Sequence, residues 1–75
     1  MTYRIALMGF SGDYVIKGEQ FENTDDALDY GADDTAPFVL VVDQSDTVVR
    51  TRGDLAQLEG HSVKDLSARF SEGLR

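Results

Sequence analysis

The sequence predicts a two-layer α+β domain in the order ββαββα, an antiparallel sheet of about four strands with both helices on one face. Three observations carry that expectation. The stretch Pro37 to Arg52, PFVLVVDQSDTVVRTR, sets β-branched and aromatic residues on either side of a polar turn, the pattern of a strand pair. Near the start, Tyr3 to Met8 alternates in the manner of a half-buried strand, and β character resumes at Tyr14. Two further segments place apolar residues at spacings of three and four between helix starters and glycines.

In chain order, Tyr3, Ile5 and Leu7 fall on one side of the first strand, with Arg4, Ala6 and Met8 on the other. Gly9-Phe-Ser-Gly12 breaks it, and its glycines allow the reversing turn that returns the chain as Tyr14 to Lys17. After a connection over Glu19 to Asn23, a helix is predicted from Thr24 to Tyr30, with Asn23 or Thr24 as its cap. Asp25 and Asp26 sit in its first turn, where carboxylates favour the positive end of the helix dipole, and Gly31 is read as a left-handed terminator. Thr24, Ala27, Leu28 and Gly31 share its inner face, leaving Asp25, Asp26 and Asp29 outward.

The strand Phe38 to Val42 is apolar on both faces, with Phe38, Leu40 and Val42 on one and Val39 and Val41 on the other. Two arrangements satisfy it. Either the strand is interior with cover on both sides, or Val39 and Val41 form the interface of a symmetric homodimer. The turn Asp43 to Asp46 leads into Thr47-Val48-Val49. A helical turn is then predicted over 54–59, ended by Gly60, and a last helix over Val63 to Glu72 with capping-box spacing at Ser62 and Asp65. Strand order stays open.

A chain of 75 residues suits one domain. At about 0.05–0.15 kcal/mol per residue its stability is on the order of 4–11 kcal/mol. It has no cysteine, so disulfides and thiolate metal sites are excluded and a reducing cytoplasm is the default compartment. The opening MTYRIALMGF lacks the features of a secretory signal, and no run is long enough to span a bilayer, so a soluble protein with no membrane partner is expected.

Charge is unevenly placed. Of a net −7, the segment 18–46 holds nine carboxylates and no Lys or Arg, while the flanking segments are each close to neutral. Like charges gathered in a small domain repel each other. A patch of one sign also speeds association with an oppositely charged partner and repels nucleic acid and anionic membranes. The expected interaction surface is therefore Glu22, Asp25, Asp26, Asp29, Asp33 and Asp34, directed at a basic surface of another protein; the plain alternative is a solubilising rim. Adaptation to high salt, suggested by ten Asp against four Glu, predicts acidity spread over the whole surface instead.

In size, acidity and lack of catalytic residues the chain is similar to small phage-encoded inhibitors of host defence, including anti-CRISPR proteins that occupy DNA-binding surfaces. That resemblance lies in composition across the whole chain. It implies a nucleic-acid mimic: carboxylates at i and i+4 of a helix lie about 5–6 Å apart, not far from the spacing of phosphates along one strand.

Other chemistries fit less well. Gly9-Phe-Ser-Gly12 has the form of a backbone clamp found in single-strand RNA binders, but such clamps need basic flanks and helices, and the next charge here is Asp13. Phe10 and Tyr14 near that turn fit two readings equally, exposed aromatics offered to a partner or core residues of a small sheet. The aspartates at 25, 26, 29, 33 and 34 lack the ordered loop spacing of a calcium site. His61 is the sole histidine, which leaves no usual zinc set, and no serine stands in a nucleophile context. Seven basic residues among fourteen acidic ones disfavour direct nucleic-acid binding. The expectation is a protein that is not an enzyme and takes no cofactor or metal.

Overall fold

A computed structural model describes residues 1–53 and 56–73. The elements are β1 (Arg4–Met8), β2 (Tyr14–Ile16), α1 (Thr24–Gly31), β3 (Phe38–Val42), β4 (Val48–Thr51) and α2 (Val63–Gly73), in the expected α+β order. Of the helical turn expected over 54–59, Asp54 and Leu55 lie outside the described residues, and Ala56–Leu58 form one 3-10 turn. No helix among the described residues is long and apolar enough to cross a membrane.

The strands form one antiparallel sheet in the order β2-β1-β3-β4. Its spine is the β1–β3 pair, in register from Arg4 opposite Val42 to Met8 opposite Phe38. Because β2 and β3 both run antiparallel to β1, they are parallel to each other, and α1 makes the crossover between them. At the end of β3 the β4 ladder shifts by one residue, with Val41 opposite Arg50 but Val42 opposite Val48. Such a bulge bends the strand and strengthens its twist. The adjoining turn is held by the Asp43 carboxylate, which accepts from the Ser45 and Thr47 amides, and by Asp46 in a left-handed conformation at φ 62°.

The layering departs from the sequence expectation. The helices lie on opposite faces of the sheet, giving three layers rather than two. Ala6, Met8, Leu40, Val42 and Val48 pack with Val63 and Leu66 of α2 on one face. Ile5, Val39 and Val41 pack with Ala27 of α1 on the other. Side-chain alternation in β1 and β3 feeds both cores from the same strands. This also corrects the dimer reading: Val39 and Val41 are 0% exposed within the single chain, because α1 covers them. They form no homodimer interface; the alternative of cover on both sides is the one observed.

Helix ends follow local chemistry. Asn23 caps α1, its side-chain oxygen accepting from the Asp26 amide at 2.8 Å, and Ser62 caps α2 by accepting from the Asp65 amide at 3.1 Å. Gly31 is not the left-handed terminator that the sequence suggested. It lies inside α1, where a Cβ would sit 2.8 Å from the Val39 Cγ1, so the missing side chain lets the helix approach the sheet closely. The Gly9-Phe-Ser-Gly12 segment is a hairpin turn docked on α2, with the Ser67 hydroxyl donating to the Gly12 carbonyl. Beside it, Phe10 meets Phe38 edge-on at 5.5 Å, and Phe38 meets Phe70 at 4.8 Å.

The two sheet edges differ. Along β4 the Val48 amide donates to the His61 carbonyl, and the Gly60 amide donates back to the Val48 carbonyl, so that edge is covered at Val48. Beyond β2 no strand follows among the described residues.

Candidate functional site

Alternation of burial along α1 sets the site. Ala27 and Gly31 are buried, Thr24 and Leu28 half-buried, and Asp25, Asp26 and Asp29 stand on the outer side. Glu22 precedes the cap and Asp33 follows the last turn, both exposed. Asp26 and Asp29, three residues apart within α1, are neighbours on its outer surface. Glu22 and Asp33 lie outside α1, Glu22 before the extended N-cap Asn23 and Asp33 in the turn after Ala32. Among the described residues none of these four carboxylates has a Lys, Arg or His nitrogen within 4.0 Å. Asp26 is held by the Asn23 side-chain amide at 3.1 Å.

Of the other carboxylates between 18 and 46, four serve the fold. Asp25 pairs with Arg50 of β4, so it is neutralised from the sheet side. Asp34 is half-buried and accepts from the Ala36 amide at 2.9 Å, turning its carboxylate back onto its own loop. Asp43 builds the β3–β4 turn, and Asp46 receives the Arg4 guanidinium at 2.5 Å. Arg69, at the other end of the chain, pairs with Asp65 on α2.

Arg52 was not foreseen in this role. Its guanidinium donates to the carbonyls of Ala32, Asp34 and Ala36 at 3.1, 2.7 and 2.6 Å. The planar fork of arginine suits several acceptors at once, and here it gathers the backbone of an otherwise irregular loop. The loop that carries Asp33 is therefore held in shape without neutralising it. Strand alternation already placed Arg50 and Arg52 on one side, but no spacing rule connects either to a helix and loop 16–25 residues away.

Glu19 and Tyr30 form a second unforeseen contact, with the phenol donating to the carboxylate at 2.9 Å. That hydrogen bond favours the ionised carboxylate and holds Glu19 below its ordinary value of 4.5. The same bond, with the adjacent negative charge, raises Tyr30 above 10.0. The contact therefore adds stability above the ordinary Glu pKa and loses it as pH falls through the lowered value. At the alkaline end it persists until pH passes the raised Tyr30 value. Both groups are solvent-exposed, so the expected signature is a titration shift. In a carboxyl-resolved NMR titration Glu19 should titrate below 4.5 in the native chain and return towards it in Tyr30→Phe; an unmoved midpoint would show that the phenol does not hold the carboxylate.

A shallow cavity of about 250 Å³ opens beside this contact, lined by Ile5, Leu7, Lys17, Tyr30, Gly31, Asp33 and Asp34. Ligand pockets typically enclose roughly 300–1,000 Å³, so this one is small, and Lys17 opposes its two aspartates. Among the described residues no three His, Asp or Glu side chains converge in a way that could hold a metal ion. No family model, characterised protein or solved structure matches the chain.

Proposed function

We propose that this chain is a non-catalytic acidic interaction module that binds a basic surface of another protein through α1 and the loop following it. Where that surface ordinarily holds nucleic acid, the module competes for it, in the manner of the anti-CRISPR inhibitors it resembles in composition. The observation that supports this most is the set Glu22, Asp26, Asp29 and Asp33 on and beside α1, exposed and without an ion pair within 4.0 Å among the described residues. Both arginines on this side of the sheet are engaged, Arg50 with Asp25 and Arg52 with carbonyl oxygens. A surface meant only for solubility would gain from closer countercharges, which relieve repulsion. Holding the loop in advance also lowers the ordering cost of binding.

The test is capture from lysate at low salt, release by a salt step, and measurement of affinity for the captured protein. The triple variant Asp26→Asn, Asp29→Asn, Asp33→Asn removes charge and keeps shape, so its circular dichroism should be unchanged. Its affinity should fall roughly 10–100-fold, since each lost charge pair is worth up to about 1 kcal/mol. Raising salt should weaken the native chain more than the variant. Equal affinity of the two proteins at low salt would reject the proposal.

A further inference from the structure

We infer that the chain associates with a second copy of itself through the bare edge of β2, joining two sheets into one. The amide of Gly9 donates to the Asp13 carbonyl and that of Lys17 to the Ile5 carbonyl, so the ladder with β1 extends beyond β2 at both ends. In an antiparallel ladder the bonded residues alternate. Asp13, Val15 and Lys17 thus turn their backbone groups towards β1, and Tyr14 and Ile16 turn theirs away from it. Those outward amides and carbonyls have no bond among the described residues. An unpaired strand edge is a template for another strand.

The occupant is identified by the residues of the edge itself. Asp13-Tyr14-Val15-Ile16-Lys17 is self-complementary when read against its own reverse. With Val15 opposite Val15 of a second copy, Asp13 faces Lys17 at both ends and Tyr14 faces Ile16 twice. Opposite charges and aromatic against β-branched residues are favourable cross-strand pairs. The same register is the one the backbone needs, because Tyr14 and Ile16 become the mutually bonded pair and four new hydrogen bonds form. Val15, 61% exposed in the single chain, gains a partner of its own kind on the axis. Among the described residues Lys17, which also lines the cavity with Asp33 and Asp34, forms no ion pair within 4.0 Å, and Asp13 meets only the Ser11 hydroxyl, so neither charge is locked in a close pair. Shifting the register by two residues would set Asp13 against Val15 and lose both charge pairs.

The charges give the test. Sedimentation at up to about millimolar protein and physiological salt, where the screening length is about 8 Å, should show a reversible dimer. Asp13→Lys alone and Lys17→Glu alone place like charges opposite each other, and each should weaken the dimer about tenfold or more. The double variant Asp13→Lys, Lys17→Glu restores opposite charges in the same register and should recover the dimer. As a second readout, Val15→Cys places thiols across a non-bonded pair with Cα atoms about 4.5 Å apart, within disulfide range. No other cysteine competes. Under mild oxidation it should crosslink far faster than Gln57→Cys, which is exposed beside β4 at the opposite edge. A native chain that stays monomeric throughout, a dimer indifferent to the charge reversals, or equal crosslinking rates would each overturn the inference.

Discussion

Val39→Asp should unfold this protein outright. The Val39 side chain is fully buried between the sheet and α1, among Ile5, Val41 and Ala27, and no donor in that cluster is positioned to receive a carboxylate. An unpaired charge there must either stay desolvated or take up a proton, and either route costs on the order of 5 kcal/mol or more. A chain of this length has only about 4–11 kcal/mol to lose. Val39→Ala removes two methyl groups without adding charge and should cost roughly 2 kcal/mol, leaving a folded protein. Far-UV circular dichroism with urea titration separates the two. A folded Val39→Asp with native helix content would mean that α1 does not cover this face.

Gly12→Ala is the second large effect, and it acts through backbone alone. Gly12 is buried at φ 93°, a conformation that costs an ordinary residue about 1–2 kcal/mol. An added Cβ would run into the Ser67 carbonyl of α2, and it would lie 3.3 Å from the Ser71 nitrogen. Neither is a flexible tip that can swing aside, so the turn must lift from the helix and forfeit the bond between the Ser67 hydroxyl and the Gly12 carbonyl. The sum is about 3 kcal/mol or more, which for a domain of this size lowers Tm by roughly 12–24 °C. Gly53→Ala provides the comparison, since Gly53 also has positive φ, at 82°, but meets nothing within 4 Å. It should show the conformational cost without the collision. Equal melting temperatures for the two variants would mean that the turn does not rest on α2.

These two sites also mark what the sequence could and could not disclose. Phe38 to Val42 was legible as a strand because its residues admit little else, and Asn23 and Ser62 were legible as helix starts because their side chains reach backbone amides three residues on. Layering was not legible. Each helix carries a single narrow apolar stripe, and that stripe says which side of the helix is buried, never which face of the sheet buries it. A strand apolar on both sides fits two covering helices or one helix and a neighbouring molecule, and only the placement of α1 over Val39 and Val41 decides between them. Gly31 misled for a related reason. Glycine at the end of a helical pattern usually means a left-handed cap, but close approach to Val39 leaves the same residue at the same place.

For the acidic segment, counting charge along the chain located the surface but overstated it. Asp25, Asp43 and Asp46 were counted with the rest, and the fold spends all three on an arginine or a turn. Contacts such as Arg4 with Asp46 join residues 42 apart, which no local pattern records. What remains is Asp26 and Asp29, readable from helical spacing once α1 was placed, with Glu22 and Asp33 exposed beyond its ends.

The covered margin at β4 limits how these molecules can stack. Gly60 and His61 already occupy the backbone groups of Val48, so another strand pairing along β4 would be blocked at that residue. A body with a single sticky rim can close with its like into a pair, but it offers the next arrival nowhere to attach. Growth into ribbons or filaments through β4 would first require peeling the 60–61 strip from Val48.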